Sequence, residues 1–495
     1  MDIQPVEHGL RVIAYQGATP FYLLSPLAFA YPAHNWYRDY DHVVERLRGL
    51  DDREDNLHAA TFGSSIEQGE EMTLVFSTEP APDLDARRAL ESRLNHERSL
   101  IEGWKTAHPT LAATTPPWVK QLLLAADQFI VRRPLAKNPE ARTVIAGYHW
   151  FGDWGRDTMI AFRGLTLAAG YPDEARRILQ TFISYLDQGM LPNAFHDPGE
   201  PTEFNTIDAT LWLFQALAHY LEASDDWPFV RDQVPALEEI VRWHISGTRF
   251  GIRMDPSDSL LSASPAGYGL TWMDARDGDW VVTPRHGKPV EIAALWYNAL
   301  RLLADWKTRC GPTAMPYGEM AEAARLAANR RYWYADGGYL YDVIDGPEGD
   351  DASLRPNQLI ALALIHPLVE GTAARSALDV VSRKLLTPVG LRTLSPDDPR
   401  YQHRFGGDHR ARDGAYQMGI VWPWLLGPYL DAHRRIHGDT GIAARILVPF
   451  EDHLREAGLG TISEIFEPER PYGPVGAISQ AWSVGELLWH AAGRR

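Results

Sequence analysis

Cysteine is almost missing from this chain: of 495 residues, only Cys310 carries a thiol. A disulfide scaffold is thereby excluded, and a reducing compartment is compatible. Cys310 falls in a helical pattern near Trp306 and is expected to be an inert, buried thiol. No apolar run approaches the length of a membrane span, and no signal-peptide pattern opens the chain, so a cytoplasmic location is the expectation. Basic runs interleaved with aromatics are missing too. With 48 basic against 65 acidic residues and a formal net charge of −17, nucleic acid is not an expected partner. No GxGxxG, P-loop or GxSxG context occurs, which removes support for nucleotide binding and for nucleophile-elbow hydrolysis. The 18 histidines show no metal-ligand spacing, so neither a metal nor an organic cofactor is expected. His149, His196 and His286 lie in loops of interest and read as hydrogen-bond donors.

What remains is an acidic, aromatic-rich chain, 45% hydrophobic, long enough for one large domain or two to three ordinary ones. Residues 1–80 read as a partial β-rich domain: Leu10, Val12, Ala14 and Tyr15 begin one strand, Phe21 to Leu23 another, and Met72, Leu74 and Phe76 a third. The charged stretch Tyr37 to Leu50 reads as a helical or irregular insert rich in ion pairs. Residues 81–115 read as a helical linker, closed by Pro109, Pro116 and Pro117. From 116 to 495 the pattern is helical, with about twelve amphipathic segments, among them 118–134, 355–366, 412–433 and 436–457. Long loops (135–155, 189–205, 247–288, 331–354, 387–411 and 458–477) alternate with short links. Helix pairs arranged in a ring need this alternation, and the long loops would gather on one face to form the site. No repeat at a fixed period is visible, which argues against a superhelical array. The expected fold is mainly α, an (α/α)6 toroid with a short N-terminal β-rich segment.

The long loops carry the chemistry. Gly269 to Tyr297 holds Trp272, Asp274, Asp277, Asp279 and Trp280 in a Gly-rich setting, then turns at Pro289 into an amphipathic helix. Carboxylates protonate or activate oxygen, and flat aromatic faces stack on the apolar faces of sugar rings. Asp277 and Asp279 read equally well as turn residues, whereas Asp274, between Met273 and Ala275, fits function better. The first long loop ends in HWFGDWGRDTM, with Trp154, Arg156 and Asp157; an Arg-Asp pair here suits two adjacent hydroxyls of one sugar, or Asp157 or Asp153 caps a helix. Asn205 or Thr206 is expected to cap the next helix and place Asp208 in its first turn. Arg355, Asn357 and Gln358 follow the fourth loop, and Tyr416, Gln417 and Trp422 follow the fifth; Arg355 reads equally as an ion-pair partner and Trp422 as core. The last loop holds Glu464 and Glu467, then Gln480 and Trp482. Glu464 is 190 positions from Asp274, yet a ring brings such loops face to face. Two carboxylates from distant loops are what glycoside hydrolysis requires.

These motifs resemble the glycogen debranching enzyme family in its amylo-α-1,6-glucosidase part. The matching strings are GDWGRDTMIA (152–161), NTIDATLW (205–212), TWMDA (271–275), GDWVVTPRHGKPVEIAALWYNAL (278–300), RPNQ (355–358), GAYQMGIVWPW (414–424), ISEIF (462–466) and SQAWS (479–483). The resemblance implies an (α/α)6 glucosidase domain. It implies Asp274 as general acid, Glu464 as general base, and Arg156 with Asp157 gripping the terminal glucose. Trp154, Asp208, Trp272, Glu291, Arg355, Asn357, Tyr416, Gln417, Trp422, Gln480 and Trp482 complete the expected substrate-binding set. The expected substrate is a branched α-glucan or maltodextrin. Another toroid glycosidase, acting on trehalose or on an α-mannosyl or α-glucosyl conjugate, and a non-catalytic glucan-binding relic are the alternatives. NWYRDYDHVVERLRGLDDRED resembles the end of the family's β-rich N-terminal domain, so only the last part of that domain is expected. The glucanotransferase part of the eukaryotic enzymes has no counterpart.

Overall fold

The structure is a computed structural model. It describes residues 1–495 except 48, 136, 196–201, 264–266, 312–314, 494 and 495, so His196 lies outside the described residues. The chain divides into two compact units, Met1–Glu102 with Gly406–His409, and Gly103–Phe405 with Arg410–Arg495.

The smaller unit is built from β1 (Asp2–Val6), β2 (Gly9–Ile13), β3 (Phe21–Leu24), β4 (Phe29–Asp41), β5 (Arg53–Gly63) and β6 (Val75–Ser77). Strands β1, β2, β3 and β6 form one antiparallel sheet in that order, and β4 pairs with β5 in a separate hairpin. The hairpin corrects the expected insert at Tyr37 to Leu50. Tyr37, Tyr40 and Asp41 belong to β4, opposite Asn56, Glu54 and Arg53, and only Val43–Leu47 is helical. The charges there do pair: Arg38 meets Asp55 at 2.5 Å, and Arg46 bridges Asp41 and Asp52. Met72 and Leu74 precede β6 instead of forming it.

In the larger unit, six helices are buried over at least half of their length: α1 (Gly155–Phe162), α2 (Asp208–Ser224), α3 (Val290–Cys310), α4 (Gln358–Ala363), α5 (Leu426–His437) and α6 (Ala481–Leu488). A helix that is apolar all round needs neighbours all round. These six supply them for one another: α1 packs on α2, α2 on α3, α3 on α4, α4 on α5, α5 on α6, and α6 back on α1. Just past α1, in the π-helical turn Arg163–Ala168, the Cβ that Gly164 lacks would fall 1.7 Å from the Gly485 carbonyl oxygen of α6, so the two backbones meet there because Gly164 carries no side chain. Other helices bury a single face against this circuit. In Pro172–Ser184 the buried residues Ala175, Ile178, Leu179 and Phe182 recur at helical spacing.

Three expected helices are shorter or broken. The segment 118–134 ends at Phe129, because Ile130–Arg132 pairs with Arg142–Val144. The segment 412–433 becomes a helix His409–Tyr416, a turn at Gly419 with φ 140°, a strand Val421–Trp422, and α5 after Pro423. The segment 436–457 breaks at Gly438 and Gly441 (φ 76° and 64°) into Ile442–Ile446 and Pro449–His453. Cys310 is exposed, contrary to expectation, because it ends α3 beyond the last buried turn at Trp306. No helix among the described residues is long and apolar enough to cross a membrane.

Short strands tie the long loops together. Val421 pairs with Phe466, joining the fifth loop to the last, and Ser479–Gln480 pairs with Gly147–Tyr148, joining the last loop to the first.

Candidate active site

The N-terminal turn of α1 supplies Arg156 and Asp157. Its entry is tight: Gly155 donates its N–H to the Asn193 carbonyl at 2.8 Å, and a Cβ there would lie 2.1 Å from the Pro192 carbonyl oxygen. Arg156, only 3% exposed, spreads its fork over three partners. Nε donates to Asp208 at 2.8 Å, one terminal nitrogen to Asp274 Oδ2 at 2.7 Å, and the other to Thr206 at 2.8 Å. Asp208 occupies the first turn of α2 as expected, but neither Asn205 nor Thr206 caps that helix. Thr206 turns its hydroxyl to Asp208, and Asn205 bonds Asn193 at 2.8 Å and Glu203 at 3.0 Å. Asp153 is likewise no cap; it pairs with Arg133 at 2.6 Å. Gln480, at the start of α6, donates to Asp157 at 3.1 Å.

Glu464 comes from the last loop and is 2% exposed. Its carboxylate accepts the Tyr416 hydroxyl and the Ala477 N–H, the latter at 2.9 Å. Gly476, at φ 70°, leaves room for it: a Cβ would lie 2.4 Å from Glu464 Oε2. Glu467 turns instead to the backbone N–H of Phe405 at 2.8 Å, so Glu464 is the glutamate that joins the cluster.

These acids share one field. Burial lifts Glu464 to about 7, against the hydrogen bonds from Tyr416 and Ala477 that favour its ion. Burial lifts Asp157 to about 7 as well; Arg156 opposes this, and the charges of Glu464 and Asp274 add to it. Asp274, the most open of the set at 28%, is also raised, burial outweighing the Arg156 contact. Burial, followed by the Glu464 carboxylate, holds the Tyr416 hydroxyl firmly protonated, and Asp157 and Asp274 act on it in the same sense. Groups from the first, third, fifth and last long loops therefore converge. Carboxyls poised near neutrality in a cluster are what acid–base chemistry uses.

The rest of the expected binding set lies behind this cluster. Trp272, Trp422 and Trp482 are buried and pack on one another and on Trp424, with ring centroids 5.1–5.5 Å apart. No ring face is left open for a sugar; they form a floor, with Trp272 Nε1 fixed on Asn357 at 2.7 Å. Gln417 bonds the backbone on both sides of Asp274, at Ala275 (3.3 Å) and Trp272 (3.4 Å). Arg355 is spent on the carbonyls of Gln417 (2.7 Å) and Thr393 (3.0 Å). Glu291 is bound by Arg285, which also holds Asp342 at 2.7 Å; Asp342 in turn accepts from Asn357 at 2.7 Å. Trp272, Trp422, Trp482, Arg355, Asn357, Gln417 and Glu291 thus each engage other groups of the protein. Trp154 stays half-buried against Phe151. Sequence reasoning missed Arg285, Asp342 and Trp424, and gave Thr206 only a capping role. Thr206, Arg285 and Trp424 stand in quoted strings, but nothing local to Asp342 points to partners 57 and 15 positions away. His149 is exposed, and His286 Nε2 is buried without a hydrogen bond among the described residues. No cluster of three metal-ligating side chains occurs among the described residues.

Comparison with known proteins places this geometry. A family model described as amylo-alpha-1,6-glucosidase matches residues 124–489, and one described as glycogen debranching enzyme N terminal matches residues 2–73. The glycogen debranching enzyme of Saccharomyces cerevisiae is 26% identical over 381 residues, covering 58% of this chain and 24% of that protein. The solabiose phosphorylase of Paenibacillus borealis is 26% identical over 207 residues, covering 40% of this chain and 27% of that protein. The chain thus spans about a quarter of the length of these curated relatives. Among solved structures, the GH63 mannosylglycerate hydrolase from Thermus thermophilus in complex with Tris superposes with a TM-score of 0.53 at 16% identity, over 75% of this chain and 100% of that one. Its complex with glucose gives 0.51 at 15%, over 76% and 100%. At this identity the likeness is one of fold.

Proposed function

This chain belongs to the amylo-alpha-1,6-glucosidase family, a family of glycoside hydrolases, and on that premise we propose that it is an inverting hydrolase releasing α-1,6-linked glucose from branched α-glucan. The observation that carries the reading is the meeting of Asp157, Asp274, Tyr416 and Glu464 in one electrostatic cluster, although Asp274 and Glu464 are 190 positions apart. The closed circuit α1 to α6, with further helices packed outside it, is what an (α/α)6 toroid supplies, and the site occupies the loop end where α1 and α2 begin.

In this mechanism Asp274 gives its proton to the glycosidic oxygen as the C–O bond breaks. Glu464 takes a proton from water as the water oxygen bonds the anomeric carbon from the opposite face. Inversion needs the two carboxyls about 6.5–9.5 Å apart to admit that water. The upward shift of Asp274 is the direction an acid requires. Arg156, Asp157 and Gln480 grip hydroxyls of the departing glucose, and Tyr416 fixes the base.

Fresh product analysed by NMR on branched limit dextrin is expected to be β-glucose. Asp274→Asn is expected to lower turnover by about 10²- to 10⁴-fold with the fold retained. α-Glucose as first product, near-normal turnover by Asp274→Asn, or release only from trehalose or a small glycosyl conjugate would each sink the reading. Binding of dextrin without any release would make the chain a glucan-binding relic.

A pH profile tests the base. Glu464 must be ionised, and burial holds it at about 7, so kcat/KM is expected to rise with pH through that region. Tyr416→Phe removes a hydrogen bond that favours the ion. The Glu464 pKa then rises further, and the acidic limb moves to higher pH. A limb that stays in place or moves downward refutes the assignment.

A further inference from the structure

Among the described residues of the larger unit, the exposed aromatic side chains are Trp150, Tyr268 and Trp280, at 61%, 42% and 37%. All three stand on loops that carry the acids of the site: Trp150 seven positions before Asp157, Tyr268 six before Asp274, and Trp280 six after it. Of the exposed aliphatics of this unit, Leu326 and Val448 lie on other segments, and Leu459 opens the last loop, five positions before Glu464. Aromatic exposure is therefore concentrated on the face of the catalytic loops. Of the tryptophans that the sequence suggests for sugar stacking, Trp272, Trp422 and Trp482 are buried and Trp154 is half-buried, so the more open rings are those of the exposed three.

Trp280 is the best placed of the three. It sits on a two-stranded hairpin, Arg276–Asp277 with Trp280–Val281, that springs directly from Asp274. The hairpin is pinned at its base: Val282 donates to the Ala275 carbonyl at 3.0 Å and the Thr283 hydroxyl to the Met273 carbonyl at 2.8 Å. One side of the indole is held, with the Arg410 guanidinium 4.3 Å from the ring centroid and anchored in turn on Asp277 at 2.9 Å. Gly414, two residues before Tyr416, gives the ring room: a Cβ there would come within 3.0 Å of it. An indole held by Arg410, close to Gly414 and still 37% exposed, lies between the loops of the proposed acid and of the hydroxyl that holds the proposed base.

We propose that Trp280, with Trp150 on the loop before Asp157, is a stacking platform for the chain from which glucose is cut, so that the substrate is an α-glucan of several sugar units and not a small conjugate. This deepens the reaction proposed above, and it rests on that reading for the identity of the sugar. A neutral glucan suits such a platform, because its pyranose faces are apolar and its hydroxyl rims are satisfied by water.

The test uses maltohexaose binding to the full chain carrying Glu464→Gln, measured by calorimetry, so that no turnover is needed. Adding Trp280→Ala is expected to weaken binding at least tenfold, and Trp280→Tyr to restore it to within about threefold, since a tyrosine ring keeps a stacking face. In the Glu464-bearing enzyme, the ratio of kcat/KM on branched limit dextrin to that on α-glucosyl fluoride is expected to fall at least tenfold with Trp280→Ala. Trp150→Ala probes the platform from the other loop. Unaltered maltohexaose affinity in both the Trp280→Ala and Trp150→Ala variants overturns the proposal, as does a loss on glucosyl fluoride equal to that on dextrin. If limit dextrin is not hydrolysed while maltohexaose binding still depends on Trp280, the platform stands and the reaction assigned above falls.

Discussion

Glu464→Gln is expected to cost nearly all turnover and yet to make the free protein more stable at pH 8. Glu464 is buried at 2% exposure, and its carboxyl is raised from 4.5 to about 7. A raised carboxylate pKa means that the folded state binds the proton more tightly than the unfolded chain. Below pH 4.5 both states are protonated and the residue costs nothing. Between 4.5 and 7 stability is lost progressively, and above 7 the full penalty stands. A shift of this size corresponds to about 3 kcal/mol as an upper bound. Glutamine has no proton to lose, so its advantage should widen from pH 4.5 to 7 and then level off. Part of the gain is forfeited, because the Ala477 N–H that donates to Oε2 at 2.9 Å would face an amide nitrogen or force the side chain to flip. Removing this charge also lets Asp157 ionise more readily, since Glu464 is one of the groups raising it, and that adds stability in the same direction. Thermal unfolding across pH 4.5–8 reads the difference. An advantage that ignores pH, or one that narrows as pH rises, would show that Glu464 is not strained by its surroundings and is no poised base.

Such a cost has a physical origin in the way the loops are assembled, and it explains which features sequence could reveal. Asp157, Asp208 and Asp274 stand in short strings beside helix starts or glycines, where local rules apply, and the structure gathers all three around Arg156. Burial is another matter. Trp272 and Trp280 look alike in sequence, each in a loop within two positions of an aspartate, and Trp422 is as much a stacking candidate as either. What separates them is a partner far along the chain: Asn357 takes the indole of Trp272, 85 positions away, and Trp482 lies against Trp422. Periodicity could show that helices dominate the larger unit, but not that 412–433 is interrupted. The apolar run Gly419 to Trp424 suits a helix as well as a strand, and the strand wins because Val421 finds partners in Arg392 and Phe466. The β4–β5 hairpin was hidden for a similar reason: Tyr37 to Asp41 carries too many charges to look like a strand until Arg53 to Asn56 is laid beside it.

Arg156→Met is the complementary case, in which activity and stability are expected to fall together. Its guanidinium is 3% exposed and neutralises Asp208, itself 1% exposed, while reaching Asp274 with a third nitrogen on Thr206. Taking away one side of a buried ion pair leaves the other side charged and dry, which typically costs about 3–5 kcal/mol. The sign with pH follows from the same groups. Arg156 is what opposes the upward shifts of Asp157 and Asp274, so without it both rise further. The deficit should be greatest at high pH, where these acids are forced to ionise, and should shrink as pH falls and they take up protons. Arg156→Lys should not rescue the loss, because a single ammonium cannot present the fork that meets Asp208, Asp274 and Thr206 at once. Adding Asp208→Asn to Arg156→Met should recover part of the stability and none of the turnover, since it removes the stranded charge without restoring the grip on Asp274. Denaturant unfolding of the four proteins in this cycle measures the interaction directly. Simple additivity of the two substitutions would show that the pair is not the brace between α1 and α2, and the alignment of Asp274 would then need another source.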